Sequence, residues 1–113
     1  MKNVKPKKHL GQHFLIDNNI AKKISDTLDF KNYNEVLEIG PGKGILTKEI
    51  IKKTKPFVVE IDPESAEYIK INFPELKNKI YNQDFLKLDL HKVFKTQFAV
   101  IGNFPYNIST QIV

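Results

Sequence analysis

The sequence predicts an α/β fold built on a parallel, doubly wound sheet. Short apolar runs alternate with amphipathic helical stretches along the chain. A glycine-rich turn, Gly40-Pro41-Gly42-Lys43-Gly44, follows the first apolar run and leads into a helical stretch. A residue suited to ligand contact stands at the end of each of four predicted strands: Gly40, Glu60, Asp84 and Asn103. Ligands of such sheets bind at the carboxyl ends of the strands, so these four belong to one candidate site.

At 113 residues the chain is one small domain at most, and its 41% apolar content excludes wholesale disorder. The formal charge is +5 and every cationic side chain except histidine is lysine, a balance that suits a polyanionic partner such as nucleic acid. With no cysteine there is no disulfide framework and no thiolate zinc site, and no metal centre is expected. The apolar runs are too short to span a bilayer and no signal peptide is visible, so the expected setting is the cytoplasm, away from membranes.

Residues 1–16 form a unit of their own, a basic arm with Lys2, Lys5, Lys7 and Lys8 followed by an ordered loop around Gly11. Asp17 suits a helix N-cap. Ile20, Ile24 and Leu28 then recur every fourth residue as the apolar face of a first helix. After the polar turn 32–34, Val36, Leu37 and Ile39 make the first strand. Residues 45–54 are helical, with Leu46, Ile50 and Ile51 set against Lys48, Glu49, Lys52 and Lys53, and Pro56 limits them. The second strand, 57–62, is nearly all apolar, as strands buried on both faces are. Pro63 opens a helix that Pro74 limits. A third strand covers 79–84, a mixture of loop and helical turn covers 86–94, and a fourth strand covers 98–102. Gln111-Ile112-Val113 ends the chain as a new apolar stretch begins, so the sequence reads as cut short after its fourth strand.

The glycine spacing narrows the ligand. A dinucleotide fingerprint needs its third glycine at position 45, where Ile45 stands, and no Gly-Lys-Ser/Thr follows as in a P-loop. Glu38-x-Gly40-x-Gly42-x-Gly44 instead resembles motif I of the S-adenosylmethionine-dependent methyltransferases. Glu60, twenty positions beyond Gly40, stands where a carboxylate accepts hydrogen bonds from two ribose hydroxyls. The competing reading is a capping or surface glutamate, but Glu60 interrupts an apolar run and needs a partner there. Asp62 reads as the cap of the helix at Pro63. Asp84 can accept from an adenine amine, with Phe85 and Ile61 covering the ring; loop capping for Asp84 and core packing for Phe85 are the alternatives.

Asn103-Phe104-Pro105-Tyr106 is the most specific signal. The adenine exocyclic amine is a poor nucleophile because its lone pair is delocalised into the ring. The Asn103 side-chain oxygen and a backbone carbonyl near Phe104 can accept both its N–H bonds and aim the lone pair at a methyl group. Pro105 holds the turn rigid, and Tyr106 can stack on a base withdrawn from its helix.

Together these residues resemble the ribosomal RNA adenine dimethyltransferases over essentially the whole chain. The matching stretches are Gly11-Gln12-His13-Phe14-Leu15, the glycine turn, Val59-Glu60-Ile61-Asp62, Gln83-Asp84-Phe85, and Gly102 through Thr110. The resemblance implies a Rossmann-like methyltransferase fold of which the first four parallel strands are present. Residues 17–113 would be the N-terminal part of the catalytic domain, and a helical C-terminal domain would be absent. It also implies S-adenosyl-L-methionine as the cofactor, held by His13, Leu15, Gly40, Gly42, Glu60, Ile61, Asp84, Phe85 and Asn103, with Asn103, Pro105 and Tyr106 catalytic. The substrate would be two adjacent adenines near the 3′ end of small-subunit ribosomal RNA, in an immature small subunit met by a monomer. Phe104 stands where the family commonly has leucine. In the family strand order, the fourth strand of a chain ending here would be a bare apolar edge, so poor stability and little activity are expected. Two other functions fit the same motifs: a large-subunit rRNA adenine methyltransferase of the antibiotic-resistance type, and a non-catalytic RNA-binding ribosome assembly factor.

Overall fold

A computed structural model describes residues 18–103 and 108–112; for 103 and 108–112 it describes the backbone course. The elements in order are α1 (Asn18–Ser25), β1 (Glu35–Ile39), α2 (Ile45–Ile50), β2 (Phe57–Val59), α3 (Pro63–Asn72), β3 (Ile80–Tyr81), α4 (Leu90–Val93), β4 (Phe98–Asn103) and β5 (Ile108–Ile112). They build one sheet in the order β3-β2-β1-β4-β5.

The four parallel strands are those the sequence predicts: β1 pairs with β2 and β4, and β2 with β3, all in parallel. The sheet does not stop there. β5 runs antiparallel to β4, with Gly102 opposite Ser109 and Asn103 opposite Ile108. The expectation of a four-stranded, wholly parallel sheet with β4 as a bare edge is therefore corrected. Ile108, Thr110 and Ile112 are β-branched on alternate positions, which is a strand pattern; reading the same stretch as part of a motif obscures it.

Strand alternation sorts the core into two layers. Val36 packs with Leu46 and Ile50 of α2 and with Ala99 and Ile101 of β4, while Val58 packs with Ile69 of α3 and Leu76. On the opposite face, Leu37, Val59 and Val100 pack against Phe94 and Phe98, whose rings stack with centroids 4.0 Å apart.

Two local expectations change. The buried positions of α1 are Ala21 and Ser25, whereas Ile20 is 43% exposed. Of the fourfold repeat, Leu28 is buried beyond the helix end at Ser25 and Ile24 packs against the same cluster, as expected; Ile20 alone departs from that face. β2 and β3 are also shorter than their apolar runs, since each chain turns as soon as its pairing partner ends. Asp17, the proposed cap of α1, lies outside the described residues.

Candidate functional site

The site is built where three parallel strands end side by side. Gly40 leaves β1 with φ 64°, and its N–H donates to the Val59 carbonyl at 3.0 Å, which ties the tips of β1 and β2 together. One strand further out, the Glu60 N–H donates to the Tyr81 carbonyl at 2.9 Å. On the other side Gly102 is paired with Ile39, so Asn103 follows next to the start of the glycine turn. A Cβ on Gly102 would lie 2.4 Å from the Ile39 carbonyl oxygen, so only glycine allows this approach. The tips that carry Gly40, Glu60 and Asn103 are thus neighbours in the sheet, and β3, which leads to Asp84, is the next strand.

The glycines of the turn do different jobs. All three have positive φ, a region costly for side-chain-bearing residues. A Cβ on Gly42 would meet no atom within 4 Å among those described, so its outer side is open to a ligand that touches the backbone. A Cβ on Gly44 would lie 2.5 Å from the Phe73 ring. Gly44 is therefore glycine both for packing and for its positive φ at the head of α2.

Glu60 is 1% exposed, and its carboxylate clasps two turns. Gly42 N–H donates to Oε1 at 3.1 Å and Asp62 N–H donates to Oε2 at 3.0 Å. The partner that a glutamate in an apolar run requires is this pair of main-chain donors. Asp62 caps α3 as the sequence predicts, accepting from Ser65 N–H at 3.1 Å and from its hydroxyl at 2.9 Å. Ile61, between them, is 44% exposed and offers an apolar surface beside the clasp.

Asp84 is half-buried and caps a 3-10 turn, its Oδ1 accepting from Leu86 N–H at 3.0 Å. Phe85 packs against the Leu37–Val59–Phe94 cluster while remaining partly exposed. The backbone of Asn103 is at the end of β4. His13, Leu15, Pro105 and Tyr106 lie outside the described residues.

Sequence reasoning passes over three residues that shape the site. Gly102 is one. Asn82, exposed, donates through Nδ2 to the Glu60 and Ile61 carbonyls at 2.8 and 3.3 Å, pinning the β2 tip to the β3 tip. Thr47 donates its hydroxyl to Glu38 Oε1 at 2.6 Å. Glu38 is 1% exposed, and burial, aided by the nearby Glu60 carboxylate and opposed by the Thr47 hydrogen bond, pushes its carboxyl up to about 8. An asparagine after a strand or a threonine in a helix carries no signal of such contacts, because the partners are distant in sequence.

An open glycine backbone beside a carboxylate, with an exposed isoleucine next to it, fits a nucleoside-containing ligand such as S-adenosylmethionine. Glu60 accepts, Gly42 permits close approach, and Ile61 supplies an apolar face.

The family model for the ribosomal RNA adenine dimethylases matches residues 3–113. The chain is 60% identical over 115 aligned residues to ribosomal RNA small subunit methyltransferase A of Flavobacterium johnsoniae, covering 100% of this chain and 44% of that protein. It is 58% identical over 113 aligned residues to the protein of the same name from Parabacteroides distasonis, covering 99% and 42%. It therefore spans less than half the length of these relatives. Among solved structures, the 23S rRNA methyltransferase ErmE superposes with a TM-score of 0.59 at 23% identity, over 79% of this chain and 47% of that one. A solved protein of Pyrococcus horikoshii superposes with a TM-score of 0.60 at 19% identity, over 87% and 63%. These two likenesses concern the fold.

Proposed function

The chain belongs to the ribosomal RNA adenine dimethylase family, and from that premise we propose that it carries the donor half of an N6,N6-dimethylation of two adjacent adenines near the 3′ end of small-subunit ribosomal RNA. The observation that carries this reading is the union of an open Gly42 backbone with the Glu60 clasp, on strand tips next to the one that ends in Asn103. S-adenosylmethionine supplies an activated methyl group on a positively charged sulfur. Glu60 receives the ribose hydroxyls on the remaining lone-pair directions of its oxygens. Ile61 and Phe85 flank the adenine of the donor, and Asp84 accepts from its amine. His13 and Leu15 complete the donor site.

Asn103 acts on the other adenine, the target base. Its side-chain oxygen accepts one N6–H bond and a carbonyl near Phe104 the other, which localises the nitrogen lone pair towards the methyl group. Pro105 keeps that acceptor in place and Tyr106 stacks on the extruded base. The proton that N6 sheds after methylation is acidic enough to pass to water, so no histidine base is needed. The lysine-rich residues 1–16 meet the phosphate backbone, and this attraction weakens steeply with salt. The substrate is the immature small ribosomal subunit, the protein acts as a monomer, and its setting is the cytoplasm. Residues 17–113 form the N-terminal part of the catalytic domain.

The test is Asn103→Ala with labelled donor and immature small subunits. Methyl transfer should fall by a factor of about 10² or more, the scale for losing one acceptor at a reacting centre, with RNA affinity retained. Transfer at the unaltered rate removes the role of Asn103. Label arriving on large-subunit rRNA instead overturns the substrate assignment.

A further inference from the structure

Of the buried acids the proposed reaction leaves unused, Glu38 is the most deeply enclosed. Glu38 sits in the middle of the sheet, with Val58 of β2 as its register neighbour on one side and Ile101 of β4 on the other, both at 0% exposure. From α2 it receives the Thr47 hydroxyl at 2.6 Å. The charged groups on the surrounding elements are few. β2 contributes the Glu60 carboxylate, two residues beyond Val58 and so on the same face of the sheet. On α2, Glu49 is paired with Lys52 at 3.0 Å. At the head of α3, Asp62 is committed to Ser65. Among the described residues no lysine bridges to Glu38. A carboxylate between two aliphatic walls, near a second carboxylate and with no cation paired to it among the described residues, is better neutral than charged.

The chain passes from Glu38 through Ile39 into Gly40, so the acid lies two residues below the turn on which the donor would sit. We propose that Glu38 is a positioning residue that holds a proton while the donor site is empty and releases it when the positively charged donor seats on the glycine turn, so that the chain grips the charged donor more tightly than its uncharged product. This rests on the S-adenosylmethionine reading above. The coupling is reciprocal: a cation that favours the ionised acid is itself favoured by it. The sign follows. Below the pH at which Glu38 ionises in the empty site, donor binding must displace a proton, so affinity rises with pH and levels off once the proton is already gone. The product S-adenosylhomocysteine lacks the sulfonium charge and displaces less. The amino group of each ligand can titrate as well, so the difference between the unaltered chain and Glu38→Gln in this ratio isolates the protein's own proton.

Calorimetry of both ligands, between about pH 6 and pH 8 and in two buffers of different ionisation heat, reads the proton count directly. The donor-to-product affinity ratio should climb several-fold across that range, by no more than about tenfold per pH unit, with extra proton release on donor binding. Glu38→Gln should flatten the climb. Thr47→Val removes the hydrogen bond that favours the charged acid and should move the climb to higher pH, which keeps the test alive if the glutamine variant does not fold. A ratio with the same pH dependence in the unaltered chain and in both variants overturns the role of Glu38 alone. Absence of donor binding at any pH overturns the S-adenosylmethionine reading and this inference with it.

Discussion

Glu60 and Asp84 follow neighbouring strands and look alike in the sequence, each an acid at the end of a predicted strand. The structure makes them opposites. Glu60 is 1% exposed and bonded to two separate turns, one of them 18 residues away in the chain. Asp84 is half-buried, and its bond goes to Leu86, two residues on. One acid holds the site's architecture together and would also touch the ligand. The other caps a single 3-10 turn. Ligand contact and structural support therefore coincide at the β2 tip and separate at the β3 tip, so mutations there should separate too.

The largest effect should come from Glu60→Ala. It strands the buried N–H of Asp62 and the half-buried N–H of Gly42, and should cost about 1–4 kcal/mol of stability in urea unfolding. Glu60→Gln keeps acceptor capacity and should cost less. If both variants unfold at the midpoint of the unaltered chain, the clasp does not stabilise the fold.

The glycine turn divides in the same way. Gly44→Ala places a methyl against the Phe73 ring at positive φ and should cost about 1–3 kcal/mol. Gly42→Ala suffers the backbone strain without the clash, so it should cost about 1 kcal/mol of stability yet lose more donor affinity than Gly44→Ala. Equal affinity losses would show that Gly42 is not the ligand-facing glycine.

Glu38 makes the β1–β2 side sensitive to pH. Its carboxyl titrates higher in the fold than in the unfolded chain, from 4.5 up to about 8. The folded chain therefore binds more protons in that window, and this contribution to stability is complete below it and lost as pH rises through it. The loss should approach about 1.4 kcal/mol per pH unit, and Glu38→Gln should remove it. Urea midpoints that do not move between about pH 5 and pH 8 would contradict a buried neutral acid.

Asp84→Ala should have the smallest structural effect, about 0.5–1 kcal/mol, the scale of one local cap. Its donor affinity should nonetheless fall about as far as that of a conservative change at Glu60. Unchanged affinity would reduce Asp84 to a cap.

What was legible in the sequence was local. The strand-turn-helix around Gly40, the Asp62 cap at Pro63 and the alternation that gives four parallel strands are written in residues a few positions apart. The β5 pairing, the burial of Ala21 and Ser25 on α1, and the roles of Thr47, Asn82 and Gly102 were not. Each depends on a partner 9 to 22 positions away or on a neighbouring strand's backbone.

By itself the sequence determined the order of elements, the turn that needs positive φ, and the family, because backbone conformation and apolar periodicity act over short stretches. Only the tertiary structure decided that Glu60 faces two amides, that Gly44 makes room for a ring while Gly42 stays open, and that Glu38 is sealed between Val58 and Ile101. Burial and long-range hydrogen bonds exist only once distant segments meet, and they set what each acid can do.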